Sequence, residues 1–411
     1  MIFRADCILA GDDFEEISPG AVRVEDGRIV ELGSDVSCSG SSIVDYRQGV
    51  GPDQRTVIVP GLIDCHCHLE LSNLAGKLDY HGSLVRWLGE LVARRPKRWS
   101  SQEKAVRRGA AASLANGTTT VADISANGRS WQALMDLPIR KVCFAEIVGT
   151  GRKTGRALAK LRKKIDAMPD DDSTFFKGVS PHAPYSTGLE VYREAISLAA
   201  ERRLRLTTHL AEDPAEIEFL KTGGGPWRKV LKALGLWDQS VKPFGGSPVE
   251  WAKEVGLLDI PAILAHVNYV DDRDIELLAK GKASVAYCPA AHCYFNHTDH
   301  RYRDMIAAGV NVVLGNDSLA CNPQLSILAQ MQAVFQAGGL PARSVFAMGT
   351  TAAAKALGLE KTIGSLAIGK QGDLAVFIIR KGPGSVLETA LQPSVQVALT
   401  MFEGSPNDRS R

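Results

Sequence analysis

Two rhythms of apolar and polar positions divide this chain. Between residues 59 and 359, short apolar runs rich in β-branched side chains alternate with stretches of helical period, the pattern of strand–helix units in a parallel sheet. Eight runs are predicted as strands: Leu62–His68, Thr118–Ile124, Lys141–Val148, Lys177–His182, Arg205–His209, Ala262–Val267, Ser284–Cys288 and Asn311–Gly315. Eight is the number that closes a (β/α)8 barrel. The intervening helices carry start signals: Thr187 with Glu190 predicts a capping box ahead of Val191–Arg202, and Asp271 opens a helix running to Lys280.

The two ends read differently. Residues 2–58 are short alternating strands and turns, with Val22, Val24, Ile29 and Val30 flanking the turn signal Glu25-Asp26-Gly27. The same style returns in residues 363–402, where Gly364, Gly369 and Gly372 punctuate the chain and Leu374–Ile379 is an apolar strand. The predicted fold class is α/β: a TIM-like (β/α)8 barrel over 59–359, with a small composite β-sandwich domain built from both termini, 1–58 and 360–411. Glu212–Ile260 is the longest connection; its length beside a strand end, with Trp227, Trp237 and Trp251 inside it, suggests a lid.

Composition narrows the function classes. Among 411 residues, 45% are hydrophobic and 23% charged, ordinary for a globular chain with a large core. The net charge of +2, from 48 basic and 46 acidic side chains, provides no field for nucleic acid or a membrane surface. The basic run Arg152–Lys164 has no interleaved aromatics and reads as a solvated helix face. No apolar segment of about 18 residues and no leader-like start appear, and the eight cysteines include no C-x-x-C pair. These features predict a cytoplasmic protein in a reducing compartment, with a homodimer left open.

The candidate chemistry sits at strand ends. In Asp64-Cys65-His66-Cys67-His68, alternation along a strand places His66 and His68 on one face and Cys65 and Cys67 on the other. Such a pair is equally a metal-binding pair or two hydrogen-bonded core imidazoles. His209, His266 and Asp317 shift the balance, because each ends an apolar strand where a parallel barrel displays its functional groups. Five such residues converging on one mouth are hard to explain as packing, since each would need its own compensating partner. Three imidazoles and a carboxylate suit Zn2+, with Fe2+ or Mn2+ as alternatives. Glu212, three residues beyond His209, is placed to move protons, although a carboxylate at a helix start is also favoured by the helix dipole. His182, in Ser180-Pro181-His182-Ala183-Pro184-Tyr185, ends the fourth strand as a substrate-binding candidate or a core histidine.

Three stretches carry a resemblance: Pro60-Gly61-Leu62-Ile63-Asp64-Cys65-His66-Cys67-His68-Leu69, Thr208-His209-Leu210-Ala211-Glu212 and Gly315-Asn316-Asp317-Ser318. They resemble the motifs of the amidohydrolase superfamily, and the likeness extends through Gly364–Leu374 to cover nearly the whole chain. Within it the chain is similar to aminohydrolases that include S-adenosylhomocysteine, adenosine-type, guanine and aminodeoxyfutalosine deaminases and triazine hydrolases. The resemblance implies one divalent metal ion held by His66, His68, His209 and Asp317, with Glu212 as proton shuttle and His266 orienting water or substrate. Members with two metals place a carboxylated lysine at the end of the fourth strand; here His182 stands there and Lys177 lies at the wrong end.

Two departures stand out. Asn316 replaces the usual Thr, and Trp87-Leu88 is followed by Ala93-Arg94-Arg95-Pro96 where adenosine-type deaminases carry an acid for the ribose hydroxyls. The run Cys288-Pro289-Ala290-Ala291-His292-Cys293-Tyr294-Phe295, with Asp317-Ser318-Leu319-Ala320, looks closest to aminodeoxyfutalosine deaminases, and Arg94 or Arg95 is then a candidate for a benzoate, with a solvated arginine the plainer reading. Trp87, Tyr185, Tyr294 and Phe295 are candidate walls for a ring, and His182 and Ser318 further substrate contacts. The expected activity is hydrolytic deamination of an aminopurine nucleoside-like small molecule, with Glu212, His266 and Asp317 as the catalytic groups. Aminodeoxyfutalosine is the first expected substrate. Alternatives are an S-adenosylhomocysteine/adenosine or guanine deaminase and a triazine or chlorohydrolase-type enzyme, whereas a non-catalytic scaffold would leave the ligand set and Glu212 unexplained.

Overall fold

The eight β-branched runs all become strands of one parallel sheet in the computed structural model, which describes residues 1–37 and 40–406. In chain order they are β1 (Leu62–Cys67), β2 (Thr118–Ser125), β3 (Arg140–Ile147), β4 (Phe175–Pro181), β5 (Arg205–Leu210), β6 (Ala262–His266), β7 (Ser284–Tyr287) and β8 (Val312–Leu314). Each pairs with its sequence neighbour, and the ring closes where Cys67 of β1 bridges Asp317, just past the end of β8. At that seam the Asp317 amide donates to the His66 carbonyl (2.9 Å) and the His68 amide to the Asp317 carbonyl (3.0 Å). Gly315 permits the approach, because a Cβ there would stand 2.8 Å from the His66 Cβ and 3.0 Å from the Cys288 sulfur.

Alternation along the strands sorts side chains into two cores. Ile63, Cys65, Ile124, Val142, Phe144, Ile263 and Val313 fill the barrel interior, whereas Leu62, Cys67, Cys143, Ala145, Leu264 and Leu314 pack outward under the helices. Cys65 and Cys67 therefore part company, against the expectation of one shared face. The cause is a register irregularity in the β1–β2 pairing between Asp64 and Cys67.

The helix signals are realised unevenly. Asp271 caps the helix Asp272–Lys280 in a full capping box with Asp274. The expected Thr187–Glu190 box is absent: the helix Leu189–Arg202 starts after Gly188, and the Thr187 hydroxyl donates instead to the Ile147 carbonyl at the end of β3 (3.1 Å). The basic run also departs from expectation at one residue. Lys164, on the helix Thr154–Asp166, turns inward to donate to the carbonyls of Ala126 (2.8 Å) and Glu146 (2.6 Å). The Glu212–Ile260 connection is built of three helices, Pro214–Thr222, Gly225–Ala233 and Pro248–Glu254, and its tryptophans pack: Trp227 stacks on Tyr185 (3.8 Å) and Trp251 meets Tyr192 edge-on (4.6 Å). None of the described helices is long and apolar enough to cross a membrane. The seven described cysteines form no disulfide with one another; Cys38, and residues 407–411 of the expected composite unit, lie outside the described residues.

Two smaller sheets flank the barrel. Ile2–Ala5, Gly20–Glu25, Arg28–Gly33 and Ile43–Asp45 form one, in which Asp26 and Gly27, both with positive φ, make the two-residue turn of the Glu25-Asp26-Gly27 hairpin. The other joins Cys7–Ala10, Glu15–Ile17 and Gln54–Pro60 from the start of the chain to Leu374–Arg380, Gln396–Phe402 and Ser405–Pro406 from its end. Phe3, Ile8, Val22, Ile29, Ile58, Val376 and Met401 share one core between the sheets. A buried ion pair ties this unit to the barrel: Arg140, at the start of β3, donates through Nε (3.2 Å) and Nη2 (3.0 Å) to Asp373. Both side chains are almost wholly buried, and burial raises the Asp373 carboxyl even beside the guanidinium. Arg140→Ala leaves that charge unpaired, so it is expected to cost about 3–5 kcal/mol, read as a lowered denaturation midpoint, while the double exchange Arg140→Met with Asp373→Leu costs less than the single one.

Candidate active site

His66 is the centre of the strand-end cluster, wholly buried, with its ring centre 5.1 Å from His68, 4.9 Å from His209 and 5.1 Å from His266. The Nε2 atoms of His68 and His209 stand 3.2 Å apart, and His68 Nε2 lies 4.0 Å from Asp317 Oδ1. Two overlapping groups, His66/His209/His266 and His66/His68/Asp317, each have donor atoms within 4.8 Å of one another. Both ring nitrogens of His66 are buried without a hydrogen-bond partner among the described residues. His209 offers Nε2 because its Nδ1 donates to the His182 carbonyl (2.9 Å), the support a ligating imidazole ordinarily has.

The electrostatics agree with that geometry. Burial holds His66, His68 and His266 well below the usual imidazole range and His209 at about 4, so all four are neutral with lone pairs available. Burial also lifts the Asp317 carboxyl to about 7. A divalent cation relieves this arrangement: it supplies a partner for the unpaired nitrogens and favours the ionised carboxylate. The donor set fits Zn2+ by chemistry and number. His266 enters one of the two groups, which the resemblance did not lead one to expect.

Left-handed backbone aims three of these groups. Ala211, His266 and Asp317 have φ of 50°, 72° and 58°, a conformation that costs a non-glycine residue roughly 1–3 kcal/mol and persists only where neighbours enforce it. At Asp317 the seam hydrogen bonds do so. At Ala211 the enforcing group is Glu216, wholly buried, whose two oxygens accept the amides of Ala211 and Glu212 at 3.0 Å each. Glu212 is thereby swung to the cluster, its Oε1 3.6 Å from His266 Nε2 and its Oε2 accepting from the Tyr185 hydroxyl at 3.4 Å. Burial first, and then the charge of Asp317, raise the Glu212 carboxyl well above the ordinary range.

Beneath the cluster, Asp64 accepts the amides of His66 and Asn316 (3.1 Å each) and the Asn316 side-chain amide (2.7 Å). Asn316 Oδ1 accepts from the Ser326 amide (3.0 Å), and the Cys321 thiol donates to Asp317 Oδ2 (3.2 Å). Asn316, the residue that departs from the family pattern, is thus a strut between β1 and β8. Glu216 and Asp64 were not foreseen; the one signal for Glu216 was a second acid four residues after Glu212, at a helix start.

The expected substrate contacts fall in three places. His182 lies beside the cluster, its ring 4.7 Å from His209 and its Nε2 4.0 Å from Glu146 Oε1. Trp87 joins Tyr80, Tyr294 and Phe295 in one aromatic layer, its indole N–H donating to the Tyr294 hydroxyl (3.1 Å). Tyr185 is not an open wall: Trp227 covers its ring and only its hydroxyl reaches Glu212. Ser318 is buried beside Asp317, in contact with the Cys321 sulfur (3.6 Å). Arg95 pairs with the buried Glu70, and its charge is felt at His68, His182 and Glu146, while Arg94 stays at the exposed rim on the Lys77 carbonyl.

The sequence profile of the amidohydrolase family matches residues 57–409. The chain belongs to the amidohydrolase family. Among its relatives, a 5-methylthioadenosine/S-adenosylhomocysteine deaminase of Moorella thermoacetica is 27% identical over 400 residues, covering 92% of this chain and 86% of that protein. One of the same name from Teredinibacter turnerae is 30% identical over 339 residues, covering 77% and 71%. In fold, this amidohydrolase is similar to Helicobacter pylori aminofutalosine deaminase in complex with methylthio-coformycin (TM-score 0.83, 21% identity, 98% of this chain and 99% of that one). It is also similar to a Xanthomonas campestris adenosine deaminase with bound zinc (TM-score 0.82, 21% identity, 98% and 92%).

Glu216→Ala removes both acceptors that hold the Ala211 turn. It is expected to lower kcat about 10²-fold, the cost of displacing a reacting group by roughly an ångström, with metal content unchanged by elemental analysis.

Proposed function

We propose that this amidohydrolase is a metal-dependent hydrolytic deaminase that replaces the amino group of an aminopurine nucleoside-like molecule with oxygen and releases ammonia. The observation that carries the reading is Glu212, a buried carboxyl turned toward His266 at 3.6 Å and adjoining the His66/His68/His209/Asp317 donor set. A divalent ion held by those four residues would lower the pKa of a bound water from 15.7 toward roughly 7 and so supply a nucleophile at neutral pH.

The chain's own groups handle the protons. Glu212, whose buried setting favours the protonated form, donates to the ring nitrogen beside the amino-bearing carbon as water adds there, then takes the remaining proton of the added oxygen and passes it to the departing amine. His266 Nε2, buried and without a hydrogen-bond partner among the described residues, faces the position where the oxygen adds and orients it. Asp317 accepts the water's first proton and hands it back to Glu212 once ammonia has left. The Trp87–Tyr294–Phe295 layer and His182, whose ring stands 4.7 Å from His209, are the candidate walls for the nucleoside.

For the substrate, the relatives' names favour 5′-methylthioadenosine or S-adenosylhomocysteine, and the likeness in fold to aminofutalosine deaminase supports aminodeoxyfutalosine, the first candidate from the Cys288–Phe295 and Asp317–Ala320 stretches. All three are adenine nucleosides, on which Glu212 and the donor set would act alike. An ammonia-release assay of the zinc-loaded protein across adenosine, 5′-methylthioadenosine, S-adenosylhomocysteine and aminodeoxyfutalosine is expected to show turnover of at least one. Silence on all four rejects the deaminase reading and leaves a triazine-type hydrolase. Glu212→Gln is expected to lower kcat about 10²- to 10⁴-fold with KM little changed, and chelation of the metal to abolish turnover until Zn2+ is restored.

A further inference from the structure

Behind the end of β7 lies a groove of about 630 Å³, lined by Tyr287, His292, His297, His300, Tyr302 and Arg303 and by none of the strand-end donors described above. His292 Nε2, His297 Nε2 and His300 Nδ1 are all buried, and none has a hydrogen-bond partner among the described residues. We propose that this groove is a second transition-metal site, in which these three nitrogens hold a borderline divalent ion of the Zn2+ or Cu2+ class.

His300 is only 7% exposed. Its Nε2 lies 2.9 Å from the His266 carbonyl, which only accepts, so that nitrogen carries the proton and Nδ1 presents a bare lone pair to the groove. His209 is held in the same way in the first cluster, by a carbonyl at the same distance. That is the support of a ligating imidazole: one nitrogen tied to a fixed acceptor, the other free. At His297 the Tyr269 hydroxyl stands 2.8 Å from Nδ1 and Nε2 has no hydrogen-bond partner among the described residues; because a hydroxyl both donates and accepts, the proton can sit on either ring nitrogen. Burial lowers His300 to about 3 and His297 to about 4, consistent with neutral rings.

Spacing points the same way. The His292 ring centre lies 5.4 Å from His297 and 5.5 Å from His300, against 5.1 Å and 4.9 Å from His66 to His68 and His209. The three free nitrogens are not drawn into a single coordination sphere as those of His66, His209 and His266 are, so binding requires the half-exposed His292 and His297 to turn toward His300, whose Nε2 stays on the His266 carbonyl. Cys293 lines the same groove from its exposed side and supplies a fourth, softer donor. If the buried His300 and the half-buried His292 and His297 served only as packing, each would leave a shielded nitrogen without a hydrogen bond, an arrangement proteins rarely keep without a partner. Nucleoside binding is not involved, so the site is independent of the deaminase reading.

The test counts ions. The full-length protein, stripped by chelator, reloaded with excess Zn2+ and desalted, is expected to retain two equivalents by elemental analysis, and His292→Ala with His297→Ala only one. One equivalent in the unaltered protein, or two in both proteins, overturns the proposal. Because the double variant could misfold, the unaltered protein provides a second arm: crystals soaked in Zn2+ are expected to show an anomalous peak within bonding distance of His292 and His300. A peak confined to the His66 cluster overturns it.

Discussion

The functional architecture depends on how the first and last barrel strands meet. A barrel of eight parallel strands must close, and here closure uses the same peptide groups that carry His66, His68 and Asp317. The Asp317 peptide spans the gap with its amide and its carbonyl, Gly315 lets the backbones approach, and Asp64 with Asn316 braces the junction from below. Ligand geometry is then a consequence of closing the sheet. This explains why residues some 250 positions apart in sequence present donor atoms within 4.8 Å of one another without any loop to position them.

Around that junction the protein keeps polar groups out of water in matched sets. Glu216 answers two backbone amides, Asp64 three donors, and His182 offers its carbonyl to His209. Among the buried polar atoms left unanswered are ring nitrogens of His66 and His266 in the cluster and of His292, His297 and His300 in the groove. Left-handed backbone is concentrated in the same region, at Ala211, His266 and Asp317, and at Ala211 and Asp317 it is held by buried hydrogen-bond partners.

Much of this was legible in the amino-acid order, for reasons that are local. Strands of a parallel barrel are buried on both faces, so β1 to β8 stand out as apolar runs, and a polar residue ending such a run, as His209 or Asp317 does, stands out against them. What was not legible depended on neighbours distant in sequence. The break between Asp64 and Cys67 arises from pairing with β2, the Thr187 hydroxyl is taken by the Ile147 carbonyl instead of by its own helix, and Lys164 is drawn from a basic surface by carbonyls at the ends of β2 and β3. Tyr185 looked available for stacking because nothing in its own stretch shows that Trp227 already covers it.

The sheet assembled from both termini has a consequence for biosynthesis. The strand Gln54–Pro60 lies between Cys7–Ala10 and Leu374–Arg380, so one side of it waits for a partner made more than 300 residues later. At cellular elongation rates of about 5–20 residues per second that interval is on the order of tens of seconds, during which an apolar edge emerges from the ribosome unprotected. Nascent chains of this topology therefore have a long window, before that second side is paired, for association with one another or with a chaperone.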